Sequence, residues 1–260
     1  MFFWNVDPIL VQLGPITLHW YGLLFVGGFL LGFRVMQWIC QREGYPTEPL
    51  ESLLLYMFAG AIIGARLAHV LFYDPEFYFA HPIEILKIWR GGLASHGGTV
   101  GVIIAIWLFL RKYPQNGLLW WLDRLVIPTA LTACFIRLGN FMNSEIVGLP
   151  TGGNWGVVFA RIDNLPRHPV QLYEAFSYLA IFILLFWLYR RNAMKAKGFS
   201  FGLFMILVFG SRLLLEFVKT PQASYEAGNM LTVGQWLSIP FVLLGIFFVW
   251  RSRYHRPKAV

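Results

Sequence analysis

An arginine, two asparagines and a glutamate stand close together in the stretch Arg137-Leu-Gly-Asn-Phe-Met-Asn-Ser-Glu-Ile-Val-Gly148. It closes an apolar run that begins near Leu118. On a helix, Arg137 and Asn140 are three apart and share a face. Ionisable groups at membrane depth are costly and usually mark a site. Two readings fit: a donor-rich, cationic pocket for an anionic head group, or a helix end whose arginine snorkels to the interface. Four other clusters carry chemistry-bearing side chains. They are His19 with Tyr21; the run Gly91-Gly-Leu-Ala-Ser-His-Gly-Gly98; the run Arg167-His-Pro-Val-Gln-Leu-Tyr-Glu174; and Arg212, Glu216 and Lys219 at i, i+4, i+7.

Each cluster suggests a chemistry. Arg137 and Arg212 together would hold a phosphate through forked, charge-assisted hydrogen bonds. Arg212, Glu216 and Lys219 also read as an internal salt bridge that positions something. Glycines around His96 free backbone N–H groups for an anion, and a helix N-terminus adds partial positive charge. Close helix packing fits those glycines equally, and it is the reading preferred for Gly60 and Gly64. The His96 imidazole, with a reference pKa of about 6.5, suits a general base; a hydrogen-bonded structural histidine is the alternative. Arg66, His69 and Tyr73 read as braces. No His pair has i, i+4 spacing, so no metal centre is expected. Ser95 and His96 are sequence neighbours, which does not make a Ser/His catalytic pair.

The elements that must position these groups follow from composition. The chain has 260 residues, 57% hydrophobic and 13% charged, against about 25% charged in soluble domains. With several apolar runs near the length needed to cross a bilayer, this predicts an all-α integral membrane protein. The spans are expected at 17–40, 53–73, 93–110, 118–142, 170–189, 199–218 and 233–250. About seven helices would thus form one domain over residues 1–260, with 143–168 as a small external cap. Met1 to Ile16 reads as an amphipathic lead-in broken by Pro8 and Pro15. It lacks a basic n-region and a small-residue cleavage site, so the first span is expected to remain. Ala80 to Trp89 reads as a segment lying along the interface.

Arg42, Arg111, Lys112, Arg190, Arg191, Lys195, Lys197 and the basic tail follow odd-numbered spans. The positive-inside rule then puts the N-terminus outside and the C-terminus in the cytoplasm. Polar groups of five spans fall at one common depth, toward the outer end. The net charge of +8 sits in short loops, which argues against nucleic acid as partner. Cys40 and Cys134 lie in separate apolar segments and read as packing residues. A transporter would need polar groups through both leaflets, whereas the inner halves are apolar apart from Arg34, Cys40 and Asp123. A lipid-binding scaffold without turnover would keep Arg137 and tolerate loss of His96.

Taken in order, the His19-Trp-Tyr-Gly22 start, the Gly91–Gly98 turn, the Arg137–Gly148 stretch, the Arg167–Glu174 run and Arg212-x-x-x-Glu216 resemble bacterial prolipoprotein diacylglyceryl transferases. The resemblance covers nearly the whole chain. It departs at Ile136, where a glycine is usual; at Asn143-Ser144-Glu145, where Asn-Gly-Glu is usual; at Val147, where tryptophan is common; and at Lys219, where an arginine is usual. It implies a transferase of the bacterial inner membrane. The diacylglyceryl group of phosphatidylglycerol would pass to the lipobox cysteine of a preprolipoprotein signal peptide, giving a thioether and glycerol 1-phosphate. No cofactor is implied. Combined with the residue chemistry, Arg137 and Arg212 are expected on the phosphate, supported by Asn140, Asn143, Gly97 and Gly98. Glu145 and Glu216 would orient the arginines or read the glycerol hydroxyls, and His19 would line the lipid site. His96 is expected to deprotonate the thiol, with Tyr21 as competitor or assistant.

Overall fold

A computed structural model describes residues 1–14, 16–88, 91–92, 94–192, 196–220 and 231–254, apart from the side chains of Ile16, Ser95, His96, Val233 and Tyr254. Trp89, Leu93 and Lys195 lie outside the described residues. Eight helices and five short strands appear among those described. The helices are α1 (Trp20–Arg42), α2 (Glu48–Phe72), α3 (Pro75–Ala80), α4 (Ser95–Lys112), α5 (Leu118–Met142), α6 (Val170–Arg190), α7 (Phe199–Leu215) and α8 (Val233–Tyr254). Six of them are long and apolar enough to cross a membrane: α1, α2, α5, α6, α8 and α7 with its 3-10 extension. The shorter α4, 18 residues, occupies the place of the third expected span. At about 1.5 Å per residue it still reaches most of the way across a hydrocarbon core of about 30 Å. The protein is therefore a multi-pass helical membrane protein.

The chain forms two compact units, residues 1–36 with 119–260, and residues 37–118. In the second, α2 and α4 pack through glycine. A Cβ on Gly60 would meet the Gly101 carbonyl oxygen at 2.5 Å, and one on Gly64 would collide with Gly97. Lipid offers no hydrophobic drive between helices, so close backbone approach must supply the contact. Beyond α2 the chain runs through α3 and a 3-10 turn, Pro82–Leu86. Arg66 organises this segment. Only 5% exposed, it donates to the carbonyls of Ile85 at 2.8 Å, Gly91 at 2.6 Å and Gly92 at 3.0 Å, and also to Glu84. Tyr78 covers its guanidinium face. Arg66 is thus a brace, as its spacing suggested.

In the first unit α5 is the central helix. Trp121, Ile127 and Ala130 are fully enclosed. Gly28 and Gly32 of α1 admit it: a Cβ on Gly28 would sit 2.7 Å from the Phe135 Cβ, and the Thr132 hydroxyl donates to the Gly28 carbonyl at 3.1 Å. Gly202 of α7 and Gly245 of α8 oppose each other in the same way. Asp123, an interruption in the apolar pattern of α5, caps α7. It accepts from the backbone N–H groups of Gly198 and Phe201 at 2.6 and 2.9 Å.

The lead-in differs from its expected form. Residues 2–4 are strand β1, and Ile9–Leu13 (β2) pairs antiparallel with Ile16–His19 (β3). The first span accordingly starts at Trp20 rather than Thr17. Strand β1 runs parallel to β4 (Val157–Phe159), which pairs with β5 (Pro166–Arg167). The segment 143–168 thus carries two strands of a three-stranded sheet completed by the N-terminus. Phe141, Val147, Val157 and Phe159 form its core, with Trp4 and Leu172 against it.

Candidate active site

The last turns of α5 present Arg137, Gly139 and Asn140 on one side. Gly139 is required there because Tyr21 of α1 lies flat against it: a Cβ would stand 2.8 Å from the Tyr21 ring. Past Met142 the chain turns sharply. Ser144 and Ile146 both take left-handed φ values, 56° and 57°, a conformation that costs L-residues energy and is common where a site over-determines the backbone. The turn brings Glu145 back to α5. Its carboxylate accepts from Asn140 Nδ2 and Asn143 Nδ2, both at 3.1 Å. Asn140 Oδ1 in turn accepts from Arg137 Nη1 at 3.2 Å. The four polar residues of the stretch therefore form one continuous network.

Two other elements close on this network. The first is α6. Gln171, fully buried, donates to the Glu145 main-chain carbonyl at 2.6 Å. Glu174, 1% exposed, faces Arg137 Nε at 2.8 Å. The second is the end of α7. Lys219 stands 3.5 Å from Glu216 and 3.8 Å from Glu174. Backbone hydrogen bonds fix it there: Leu149 N–H donates to the Val218 carbonyl, and Thr220 N–H to the Val147 carbonyl. On the far side of the stretch, Gly148 N–H donates to His168 and His168 N–H to Leu149. Arg167 adds a hydrogen bond to the Gly148 carbonyl at 3.0 Å. It also pairs with Asp163 at 2.6 Å, which holds the Asp163 carboxyl below its ordinary range through a direct hydrogen bond.

The electrostatics are balanced but uneven. Glu174 faces both Arg137 and Lys219, Glu216 faces Lys219, and Glu145 reaches Arg137 through Asn140. Arg212, half-buried on α7, has no hydrogen-bond or ion-pair partner among the described residues. It lies within electrostatic reach of Tyr178, as do Arg137 and Glu174. The two arginines therefore share one neighbourhood, with Tyr178 common to both. Tyr21 lies in the fields of Glu145 and Arg137. Several buried oxygens here have no hydrogen bond: Ser144 Oγ, Asn143 Oδ1, Gln171 Oε1, Glu216 Oε2 and Thr220 Oγ1. Buried polar atoms normally find partners, so this cluster of acceptors and hydroxyls suits a ligand that brings hydroxyl donors.

Of the residues singled out by sequence, Arg137, Asn140, Asn143, Glu145, Arg212, Glu216 and Tyr21 are brought together in this first unit. Among the described residues, Glu216 pairs with Lys219 and not with an arginine. His19 ends β3 and is exposed. Gly97 and Gly98 lie in the second unit, in the first turns of α4 against α2. Ser95 and His96 begin α4, with side chains outside the description. Gly91 and Gly92 take left-handed φ values and offer carbonyls to Arg66. Sequence reasoning placed Gln171 and Glu174 on one face of the fifth span without giving them a task, and did not single out Tyr178, further along the same face of α6.

The family model described as "Prolipoprotein diacylglyceryl transferase" matches residues 8–251. A protein of Tolumonas auensis named phosphatidylglycerol–prolipoprotein diacylglyceryl transferase is 67% identical over 258 residues, 99% of this chain and 100% of the relative. Proteins of the same name from Chloroherpeton thalassium and Porphyromonas gingivalis are 47% and 44% identical, each covering 96% of this chain and 94% of their own.

Proposed function

The chain belongs to the prolipoprotein diacylglyceryl transferase family, and from that premise we propose how its residues carry out the transfer. The enzyme moves the diacylglyceryl group of phosphatidylglycerol to the cysteine thiol of a preprolipoprotein, the first step of lipoprotein maturation. The thiol proton leaves to a base, sulfur attacks the glyceryl carbon that bears the phosphate, and a C–S bond replaces the C–O bond. Glycerol 1-phosphate departs with the electron pair of the broken bond. The acceptor is the lipobox cysteine of the signal peptide, and the enzyme sits in the bacterial inner membrane with its N-terminus outside and its C-terminus in the cytoplasm. The asymmetry of basic loops supports that orientation.

The observation that carries the reading is Arg212, a half-buried cation without a partner among the described residues, beside Tyr178 and in the same neighbourhood as Arg137. A lone charge in an apolar bundle is costly until an anion meets it. A phosphodiester head group is such an anion, and charge growing on the leaving phosphate is what fixed donors stabilise. Arg137 holds the phosphate from the other side, oriented by Asn140. Asn143, Glu145 and Glu216 read the glycerol hydroxyls. His19, Gly97 and Gly98 are assigned to the lipid site from the family pattern alone. For thiol deprotonation His96 is assigned on imidazole chemistry, with Tyr21, near Arg137 and Glu145, as assistant.

The test is purified protein incubated with phosphatidylglycerol and a lipobox peptide, read by mass. The peptide should gain one diacylglyceryl group, and Arg137→Ala should abolish the gain while the protein still inserts. An unmodified peptide with wild-type protein overturns the function. Near-normal turnover by the variant removes Arg137 from the phosphate.

A further inference from the structure

We infer that Glu174 is a positioning residue for this reaction, holding Arg137 so that its terminal nitrogens face the lipid phosphate; the inference rests on the function proposed above. The geometry is specific. Glu174 reaches from α6 to Arg137 at Nε, 2.8 Å away, while Arg137 Nη1 is held by Asn140. Contact at Nε occupies one edge of the guanidinium; its five N–H donors leave others for Asn140, for Tyr178, whose side chain also hydrogen-bonds to Arg137, and for a ligand. The other Glu174 oxygen faces Lys219 at 3.8 Å. One carboxylate, 1% exposed, thus holds cations from two further segments. One turn earlier on the same face, Gln171 fastens the Glu145 carbonyl at 2.6 Å. The two α6 residues therefore clamp the polar stretch at both ends.

Charge accounting gives the two arginines different tasks. Arg137 is neutralised by Glu174, so it contributes direction more than attraction. Arg212 has no carboxylate against it among the described residues, so it contributes attraction for an anionic lipid. Removing the Glu174 charge would leave lipid binding intact or tighter while Arg137 loses its orientation. The signature is a fall in kcat without a rise in KM. A merely structural role would lower the amount of folded enzyme and leave the KM of the remainder unchanged together with its kcat.

The experiment measures kcat and KM for phosphatidylglycerol, with a lipobox peptide at saturation, alongside thermal unfolding in detergent. Glu174→Gln should lower kcat by about tenfold to a hundredfold with KM unchanged or reduced, and Glu174→Asp should fall between it and wild type. The double variant Glu174→Gln, Lys219→Gln removes one buried charge of each sign. It restores the charge balance of the cluster, so it should regain part of the melting temperature lost by the single variant yet keep the low kcat, and it decides the question should the single variant fail to accumulate. Wild-type kcat in either Gln variant, or a raised KM at unchanged kcat, overturns the inference. A wild-type protein that leaves the peptide unmodified overturns the parent reading, and that control tells the two failures apart.

Discussion

Arg137 commits Nε to Glu174 and Nη1 to Asn140 before any substrate arrives. A planar group with five donors in a fixed fork can face two protein partners and a ligand at once with its direction held, which a rotatable ammonium cannot. Arg137→Lys should therefore cost about a hundredfold or more in kcat, whereas Arg212→Lys, which keeps an unpaired cation, should cost less; steady-state kinetics on the two variants decide this. Reversal of that order would contradict the division of tasks. Ser144 is a second residue-scale case. Its left-handed φ of 56° and its unpartnered buried hydroxyl suit glycine better, and glycine is the residue that the family resemblance led one to expect. Ser144→Gly should raise stability by about 1 kcal/mol, read as a higher melting temperature in detergent. Within the stretch, Arg137, Asn140 and Glu145 were legible because helix spacing and a short turn bring them together locally. The tie from Arg137 to Glu174 was not, because it joins two helices and no periodicity encodes which faces meet.

Among the elements, α7 depends on a residue of α5. Asp123 accepts from two backbone N–H groups at the α7 N-terminus, groups that would otherwise be orphaned. Asp123→Ala should destabilise the protein by about 1–2 kcal/mol, seen as a lower melting temperature, with Asp123→Asn retaining part of the cap. In the sequence the same aspartate looked only like a break in an apolar run, since a cap supplied by another helix leaves no local pattern. The long helices were legible from apolar length alone. Strand β1 was not: three residues pair with a segment more than 150 positions away, and the Phe2–Trp4 run has no alternation long enough to declare it. The segment 143–168 offers a pH test. The ion pair with Arg167 lowers the Asp163 pKa, so the pair stabilises above the ordinary carboxylate range and is lost as pH falls through the lowered value. The partial exposure of both partners to solvent limits this to under about 1 kcal/mol. Asp163→Asn should abolish the acid-side slope in the melting temperature that this pair contributes.

For the whole molecule, composition announced a membrane protein, and six long apolar helices with the shorter α4 bear that out. Charge is rare in this chain, so a cluster of three carboxylates and three cations at the meeting of α5, α6 and α7 is the feature around which its chemistry is built. Its one cation without a counter-ion among the described residues, Arg212, is where an anionic lipid gains most. The direct measurement is native mass spectrometry of detergent-purified protein offered equal amounts of phosphatidylglycerol and a zwitterionic phospholipid. Wild-type protein should retain phosphatidylglycerol preferentially, Arg212→Ala should lose that preference, and Arg137→Ala should keep it while transferring nothing to a lipobox peptide. An Arg212→Ala protein that retains and turns over phosphatidylglycerol as the wild type does would contradict the account.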